Sequence, residues 1–375
     1  MTMAIPGDFT ARTEQVQARL TDRNVAGLVL FPSPNLSYLT GFVEEPMERH
    51  LLLVVTPAAI RMVAPTMYVE QLNAETDLEH IIAWADADDP LDAVQAALTE
   101  TELANTDGRV LLDETMFARF VVDLQGLLPD ASYGLAGEGL EDLRIIKDDA
   151  ELTALREAAS ITDAAWMDVR DRGDELIGKT EQEVVYVLRD AIDAHGGDGF
   201  SFEPIVGSGP NGAKPHHRSG DRVIEAGDPV VFDFGTVVDG YPGDQTRTVV
   251  IGGEPPADFE EVHAIVHEAF QAGIEAVEPG VTAGSVDVAA RSVIKDAGYG
   301  DAFLHRTGHG VGLEVHEPPY IVGGNNRILE PGMVHSVEPG IYLEGRFGVR
   351  IEDLVVVTED GCEQLNATSR DWRSR

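Results

Sequence analysis

Nine of the eleven histidines fall after residue 194, together with the carboxylates in the least expected places. The densest group is His305-Arg306-Thr307-Gly308-His309-Gly310-Val311-Gly312-Leu313-Glu314-Val315-His316-Glu317. His305 and His309 are four apart, the spacing of one helix face, but Gly308, Gly310 and Gly312 argue against a helix. An extended, glycine-lined segment is expected instead, its backbone open to close approach of a ligand and its alternate side chains facing one site. Glycines two apart also imitate a nucleotide loop, but neither a strand-to-helix context nor a P-loop lysine accompanies them.

A second group is Asp233-Phe234-Gly235 and Gly240-Tyr241-Pro242-Gly243-Asp244-Gln245-Thr246-Arg247. Asp233 ends the apolar run Val230-Val231-Phe232, where a carboxylate is costly unless it is paired or coordinates a cation. Asp244 follows across a Gly-Tyr-Pro-Gly turn, so a hairpin would bring the two carboxylates together, and metal ions are the usual remedy for their repulsion. In a third group, Glu338 of Val337-Glu338-Pro339-Gly340 ends an apolar strand and Glu352 of Val349-Arg350-Ile351-Glu352-Asp353 interrupts another. The chain carries its own control in Val277-Glu278-Pro279-Gly280, the same tetrapeptide closing a helix, where Glu278 is structural. Asp233, Asp244, His309, Glu338 and Glu352 together give four hard carboxylates and one imidazole. That set suits two Mn²⁺, Co²⁺ or Zn²⁺ ions more than a structural zinc site. Two such ions, roughly 3.5 Å apart, activate a shared water and polarise a carbonyl, so the implied reaction is metal-assisted hydrolysis of an acyl bond.

The elements that must position these residues divide near residue 144. Before it, Val25 to Phe31, Leu51 to Val55 and Arg109 to Asp113 read as strands and Leu91 to Leu103 as a helix, with Pro32-Ser33-Pro34-Asn35 as a turn. This is an α/β pattern without clustered ligands, expected to be a supporting domain over 1–143. After it, helices are expected over Asp148 to Arg172, Thr180 to His195, Phe259 to Val277 and Val286 to Ala297, with Thr180 and Glu183 at capping-box spacing. Strands are expected over Val230 to Phe234, Thr246 to Ile251, Met333 to Glu338 and Val349 to Val357. Helices beside antiparallel strands make 144–375 an α+β domain.

The 375 residues carry 66 acidic against 27 basic side chains, a net charge of −39. Such a polyanion is repelled by phosphate backbones and anionic lipids, which argues against nucleic-acid and membrane-surface partners. Only four of the basic residues are lysines, namely Lys147, Lys179, Lys214 and Lys295. In molar salt the Debye length is about 3 Å and the self-repulsion largely vanishes, so a salt-loving cytoplasm is expected. Cys362 is the single cysteine, which excludes an internal disulfide and thiolate clusters. Residues 1–20 carry Asp8, Arg12, Glu14 and Arg19, unlike a signal peptide, and no apolar run reaches the roughly 20 residues of a membrane span. A soluble, cytoplasmic protein is expected.

The motifs DFG, GYPGDQTR, HRTGHGVGLEVHEPP, EPGMVHSVEPGIY and GVRIED resemble, in order and spacing, the pita-bread-fold metallopeptidases. That family includes prolidase, aminopeptidase P and methionine aminopeptidase. The similarity covers residues 144 to about 357. The preceding domain resembles the creatinase-type N-terminal domain of the prolidase and aminopeptidase P branch. By this resemblance Asp233 chelates one ion, Asp244 and Glu352 bridge both, and His309 and Glu338 complete the other. Glu338 is also a candidate proton shuttle. The resemblance further makes His216 the substrate-side histidine, His316 the one that hydrogen-bonds the tetrahedral intermediate, and His305 a further pocket histidine. It sets Arg350 behind the ligands to orient a carboxylate or the substrate. His217 is a bystander on this reading, and Arg327 meets either a substrate carboxylate or a surface partner. No ligand position is substituted, unlike in creatinase, which works without metal, and in the pseudo-peptidase domains. The activity implied is Xaa-Pro dipeptidase with two divalent ions, Mn²⁺ or Co²⁺ before Zn²⁺, acting on proline-containing di- or short peptides as a homodimer. Aminopeptidase P and non-peptidase relatives such as ectoine-type hydrolases are the alternatives, and a fold-sharing binding module is distinguished by whether metal is retained.

Overall fold

The computed structural model describes residues 5–373. The chain divides into two compact units, Met1–Arg144 and Ile145–Arg375. The first unit runs α1 (Phe9–Asp22), β1 (Val25–Leu30), α2 (Pro34–Thr40), β2 (Leu52–Val55), β3 (Ile60–Pro65), α3 (Val69–Glu75), β4 (Ile81–Trp84), α4 (Pro90–Glu100), β5 (Arg109–Leu112), α5 (Ala118–Leu127), β6 (Ser132–Leu135) and α6 (Gly137–Arg144). Its six strands form one sheet in the order β4-β3-β2-β1-β5-β6, with β2 antiparallel to both neighbours and the other pairs parallel. Val29, Leu52, Val54 and Val110 meet Val94, Leu98, Phe120 and Leu124 in its core. The sequence Pro32 to Asn35 reads as a turn, whereas the structure starts helix α2 there. Ser33 caps the helix by accepting from Leu36 N, and Pro34 sits at the first helical position, where its missing N–H is harmless.

The second unit opens with α7 (Asp149–Arg172) and α8 (Glu181–Ala194). Both begin in the capping boxes their sequences allow: Asp148 with Glu151, and Thr180 with Glu183. Each box satisfies orphan backbone donors of the first turn from both sides. Then follow β7 (Ile205–Ser208), β8 (Asp228–Phe234), β9 (Val237–Val238), β10 (Tyr241–Pro242), β11 (Gln245–Ile251), α9 (Phe259–Glu275) and α10 (Ala283–Asp296). The chain closes with β12 (Gly308–Gly310), β13 (Glu317–Ile321), β14 (Val334–Val337), β15 (Gly340–Leu343), β16 (Phe347–Arg350), β17 (Asp353–Val357) and β18 (Cys362–Gln364).

Two helix pairs each back a sheet. Trp166, Val169, Leu188 and Ile192 of α7 and α8 pack on Val230, Phe232 and Phe234 of the sheet β11-β8-β7. Phe259, Val266, Phe270, Val286 and Ile294 of α9 and α10 pack on Val337, Val355 and Val357 of the sheet β13-β12-β14-β17-β18. Strand side chains alternate faces. On β8, therefore, Val230, Phe232 and Phe234 turn to the helices while Asp233 turns the other way. Register follows the same rule on β11, where Thr246 lies opposite Asp233 and bridges in turn to Glu352.

The apolar stretch Val349 to Val357, expected to be one strand, is two. It breaks between β16 and β17 because Glu352 leaves the ladder to give its backbone N–H to Thr246 O at 3.1 Å. No helix among the described residues is long and apolar enough to cross a membrane.

Candidate metal centre

The faces of the second unit's strands turned away from the helices surround a cavity of about 720 Å³. Asp233, Asp244, His309, Glu338 and Glu352 all line it, and so do His216, His305, His316 and Arg350. The five expected ligands arrive from β8, the turn before β11, β12, the end of β14 and the break between β16 and β17. Ligand atoms of Asp244, His309 and Glu352 lie within 4.8 Å of one another. His309 Nε2 stands 3.7 Å from Asp244 Oδ2 and 3.4 Å from Glu338 Oε1.

The electrostatics of this group are those of a site short of positive charge. Asp244 and Glu352 are pushed well above the usual carboxylate range, first by burial and then by the neighbouring carboxylates. Burial also raises Glu338 to about 7, with Arg350 opposing and Asp233 adding to the rise. Asp244 Oδ1 is buried without a hydrogen-bond partner. Burial, followed by the charge of His316, holds His309 well below its ordinary value, so its ring is neutral. Its Nδ1–H donates to Gly310 O at 3.2 Å, the assignment that leaves an Nε2 lone pair among carboxylate oxygens. Four carboxylates and a lone pair face one another and, among the described residues, Arg350 is the buried cation between them. Neutral imidazole plus hard oxygen donors, with an orphaned oxygen in their midst, is a donor set that fits divalent ions.

The groups behind the expected ligands are hydrogen-bonded in turn. Arg350 pairs with Asp233 through Nη2, donates from Nη1 to Tyr342 OH at 2.7 Å, and from Nε to Thr246 Oγ1 at 3.0 Å. Thr246 Oγ1 in turn donates to Glu352 Oε2 at 2.6 Å. Tyr342 OH lies 2.8 Å from His305 Nε2, and His305 Nδ1 lies 2.7 Å from Arg306 O. The consistent assignment runs Arg350 to Tyr342 to His305, each donating to the next, with Nδ1–H closing on the carbonyl. His305 is thereby neutral, and burial with the nearby Arg350 charge lowers it to about 3. His316 stands edge-on to His309 with ring centroids 4.0 Å apart, and burial followed by the Arg306 charge lowers its affinity for a proton. Next to it, Glu317 is clamped to the buried Lys147 at 2.6 Å, which fixes the segment bearing His316.

Three readings of the sequence gain detail. The glycines of 308–312 were expected to admit a ligand. At Gly308 and Gly310 it is backbone that approaches: an added Cβ would lie 2.0 Å from Ser336 O and 2.2 Å from Pro318 O. His217, expected to be a bystander, donates to the buried Glu181. Arg327 is not among the residues lining the cavity, whereas Arg218 and Arg306 are, the latter stacked on Tyr320 at 4.3 Å. Sequence reasoning also missed Thr246, Tyr342 and Ser336, whose hydroxyl accepts from His309 N at 3.1 Å. The signal for each was adjacency, since all three lie within four residues of an expected ligand.

Known proteins resemble this one along nearly the whole chain. Residues 153–359 match the model of metallopeptidase family M24, and residues 12–146 match that of the creatinase/prolidase N-terminal domain. A probable dipeptidase PepE of Mycobacterium tuberculosis is 42% identical over 367 residues, covering 96% of this chain and 94% of that one. An Xaa-Pro dipeptidase of Lactobacillus delbrueckii subsp. lactis is 34% identical over 343 residues, covering 90% and 92%. A recombinant prolidase from Thermococcus sibiricus superposes with a TM-score of 0.93 at 37% identity, covering 98% of this chain and 99% of that one. The chain therefore belongs to metallopeptidase family M24, with a creatinase-type N-terminal domain ahead of a pita-bread catalytic domain.

Proposed function

We propose that the protein is an Xaa-Pro dipeptidase that hydrolyses the peptide bond before proline with two divalent ions, Mn²⁺ or Co²⁺ before Zn²⁺. The observation that carries this reading is the cluster of Asp233, Asp244, His309, Glu338 and Glu352 on the cavity wall, with Asp244 Oδ1 buried and without a hydrogen-bond partner. The names of the relatives support the substrate class. Asp233 would chelate one ion, Asp244 and Glu352 would bridge, and His309 and Glu338 would complete the second. Bound there, the pair of ions supplies an activated water and a polarised carbonyl.

The chain's own groups do the rest. Glu338 moves the proton from the attacking water to the leaving nitrogen through its carboxyl. His316 donates to the oxygen that gains charge as the carbonyl carbon becomes tetrahedral, and His216 contacts the substrate from the cavity wall. Arg350 and His305, tied through Tyr342, hold Asp233 and the pocket wall in place. Arg218 and Arg306, which line the cavity, would meet the free carboxylate of a dipeptide. On this reading 144–375 is the catalytic domain and 1–143 the supporting one. The working form is a homodimer, as the family resemblance implies, in a cytoplasm of high salt, as the net charge of −39 suggests.

The test is an assay with Mn²⁺ or Co²⁺ in about 2 M KCl, where surface repulsion is screened, alongside one at low salt. A dipeptide Xaa-Pro is set against a tripeptide Xaa-Pro-Xaa. Cleavage of the dipeptide alone is expected. Preference for the tripeptide moves the assignment to aminopeptidase P. Two ions bound with neither peptide cut removes the peptide substrate in favour of another hydrolysable C–N bond, such as that of an ectoine-type solute.

A further inference from the structure

Glu181 is the first residue of α8, lies outside the cavity wall and is completely buried, yet its carboxylate is among the best-satisfied groups in the protein. Oε1 accepts from Ser208 N at 2.8 Å, Ser208 Oγ at 2.7 Å and Asn211 Nδ2 at 3.0 Å. Oε2 accepts from His217 Nε2 at 2.7 Å and Gly220 N at 3.3 Å. Every one of these donors belongs to the stretch 208–220, which leaves β7 and passes over the rim of the cavity. Burial alone would raise the Glu181 pKa, but these hydrogen bonds outweigh it and keep the carboxyl below its usual range, so the anion persists.

Within that stretch Lys214-Pro215-His216-His217 forms a turn closed by His217 N donating to Lys214 O at 3.1 Å. Proline stands at the second position, which pre-sets the turn. His216 is at its tip, exposed and lining the cavity, and His217 is at its foot. The tip also meets Arg350, whose Nη1 approaches Pro215 O at 3.5 Å.

We propose that Glu181 and His217 are positioning residues: the buried Glu181 carboxylate grips the foot of the turn through His217 and so sets His216 against the substrate. The role given to His216 rests on the peptidase reading above, whereas the grip on the turn does not. Glutamine retains a donor near the Nε2 position and leucine does not, which separates the hydrogen bond from simple packing.

The experiment compares His217→Leu, His217→Gln, His216→Ala and the double variant His216→Ala/His217→Leu in the metal-loaded full chain. His217→Leu is expected to lower kcat/KM for an Xaa-Pro dipeptide about 10- to 100-fold, the size of a lost hydrogen bond to a charged group. Metal content stays at the wild-type level, and His217→Gln restores the rate to within about threefold. Because His217 acts through His216, the double variant is expected to be no slower than His216→Ala by more than about threefold. A readout independent of turnover comes from the ¹⁵N-histidine spectrum. The His216 ring signals, identified by their loss in His216→Ala, are expected to shift and broaden in His217→Leu and to return in His217→Gln. Wild-type rates with unmoved His216 signals in His217→Leu would overturn the proposal, as would multiplicative losses in the double variant or an equal loss in His217→Gln. If the wild-type protein with two ions bound cuts no Xaa-Pro peptide, the peptidase reading fails by itself, and the ring signals still decide the positioning role.

Discussion

Thr246 and Glu352, 106 residues apart in the chain, are joined twice: their backbones form a bridge, and the threonine hydroxyl donates to Glu352 Oε2 at 2.6 Å. The same hydroxyl accepts from Arg350 Nε at 3.0 Å, so one small side chain aims an expected bridging carboxylate and ties it to the guanidinium on Asp233. Outer hydrogen bonds of this kind are worth 10- to 100-fold in metal affinity or activity. Thr246→Val is therefore expected to weaken Mn²⁺ binding by about that factor while Thr246→Ser keeps it. Isothermal titration of metal-free protein checks this, and equal affinity in both variants would leave the hydroxyl without a role.

Asp244 is crowded by Asp233 and Glu338 with one oxygen unpartnered, so before metal arrives it opposes folding. Asp244→Asn relieves that repulsion at constant size. The metal-free variant is expected to melt higher than metal-free wild type by about 2 °C, the shift of roughly 1 kcal/mol in a unit the size of Ile145–Arg375. It is also expected to lose metal retention and hydrolysis. Glu278→Ala, on an exposed residue of the same Val-Glu-Pro-Gly sequence, is expected to change neither. Calorimetry with metal analysis of both variants decides, and a drop in the melting point of metal-free Asp244→Asn would contradict the electrostatic account.

Tyr342 links Arg350 to His305 and touches none of the expected ligands among the hydrogen bonds described. Tyr342→Phe keeps the ring but removes the donor to His305 Nε2 and an acceptor of Arg350 Nη1. The expectation is a fall of about 10- to 100-fold in kcat/KM with unchanged metal content. Loss of metal in this variant would mean that the chain from Arg350 to His305 supports the ions rather than the pocket wall.

His263 on α9 and His335 on β14 are buried, and burial lowers each to about 4; in both, Nε2 has no partner. An unfolded histidine takes up its proton near pH 6.5 and these two only near 4. Unfolding therefore gains protons first as the pH falls, and stability present at pH 7 is lost progressively through that window. A shift of that size is on the order of 3 kcal/mol for each residue. His263→Leu is expected to flatten the decline in urea-unfolding free energy between pH 6.5 and 4.5. An unaltered slope would place the acid sensitivity elsewhere.

Local signals carried most of what the sequence could say. Asp148 with Glu151 and Thr180 with Glu183 announce α7 and α8 because a capping box needs only three residues of context. The site was legible for a similar reason: Asp233, Glu338 and Glu352 stand in apolar runs where a lone carboxylate is costly, and the structure puts all three on the cavity. What stayed hidden depends on distant partners. The break after Arg350 is set by Thr246, on a strand a hundred residues earlier. The engagement of His217 is set by Glu181, and the crowding of Gly308 by Ser336. Ser33-Pro34 was read as a turn because turns and helix starts favour the same residues, and only the packing around α2 separates them.

Gly308 and Gly310 have a consequence for how this protein can vary. They flank His309 and take no part in chemistry, but the carbonyls of Ser336 and Pro318 occupy the space any side chain would need. Neither neighbour is the flexible end of a side chain, so nothing can give way cheaply. A saturation survey scored by activity alone would rank these two positions with the ligands, although their failure is a failure of assembly. Scored by abundance as well, they are expected to separate: substitutions at His309 should leave folded protein without activity, and substitutions at its two neighbours should leave little protein at all.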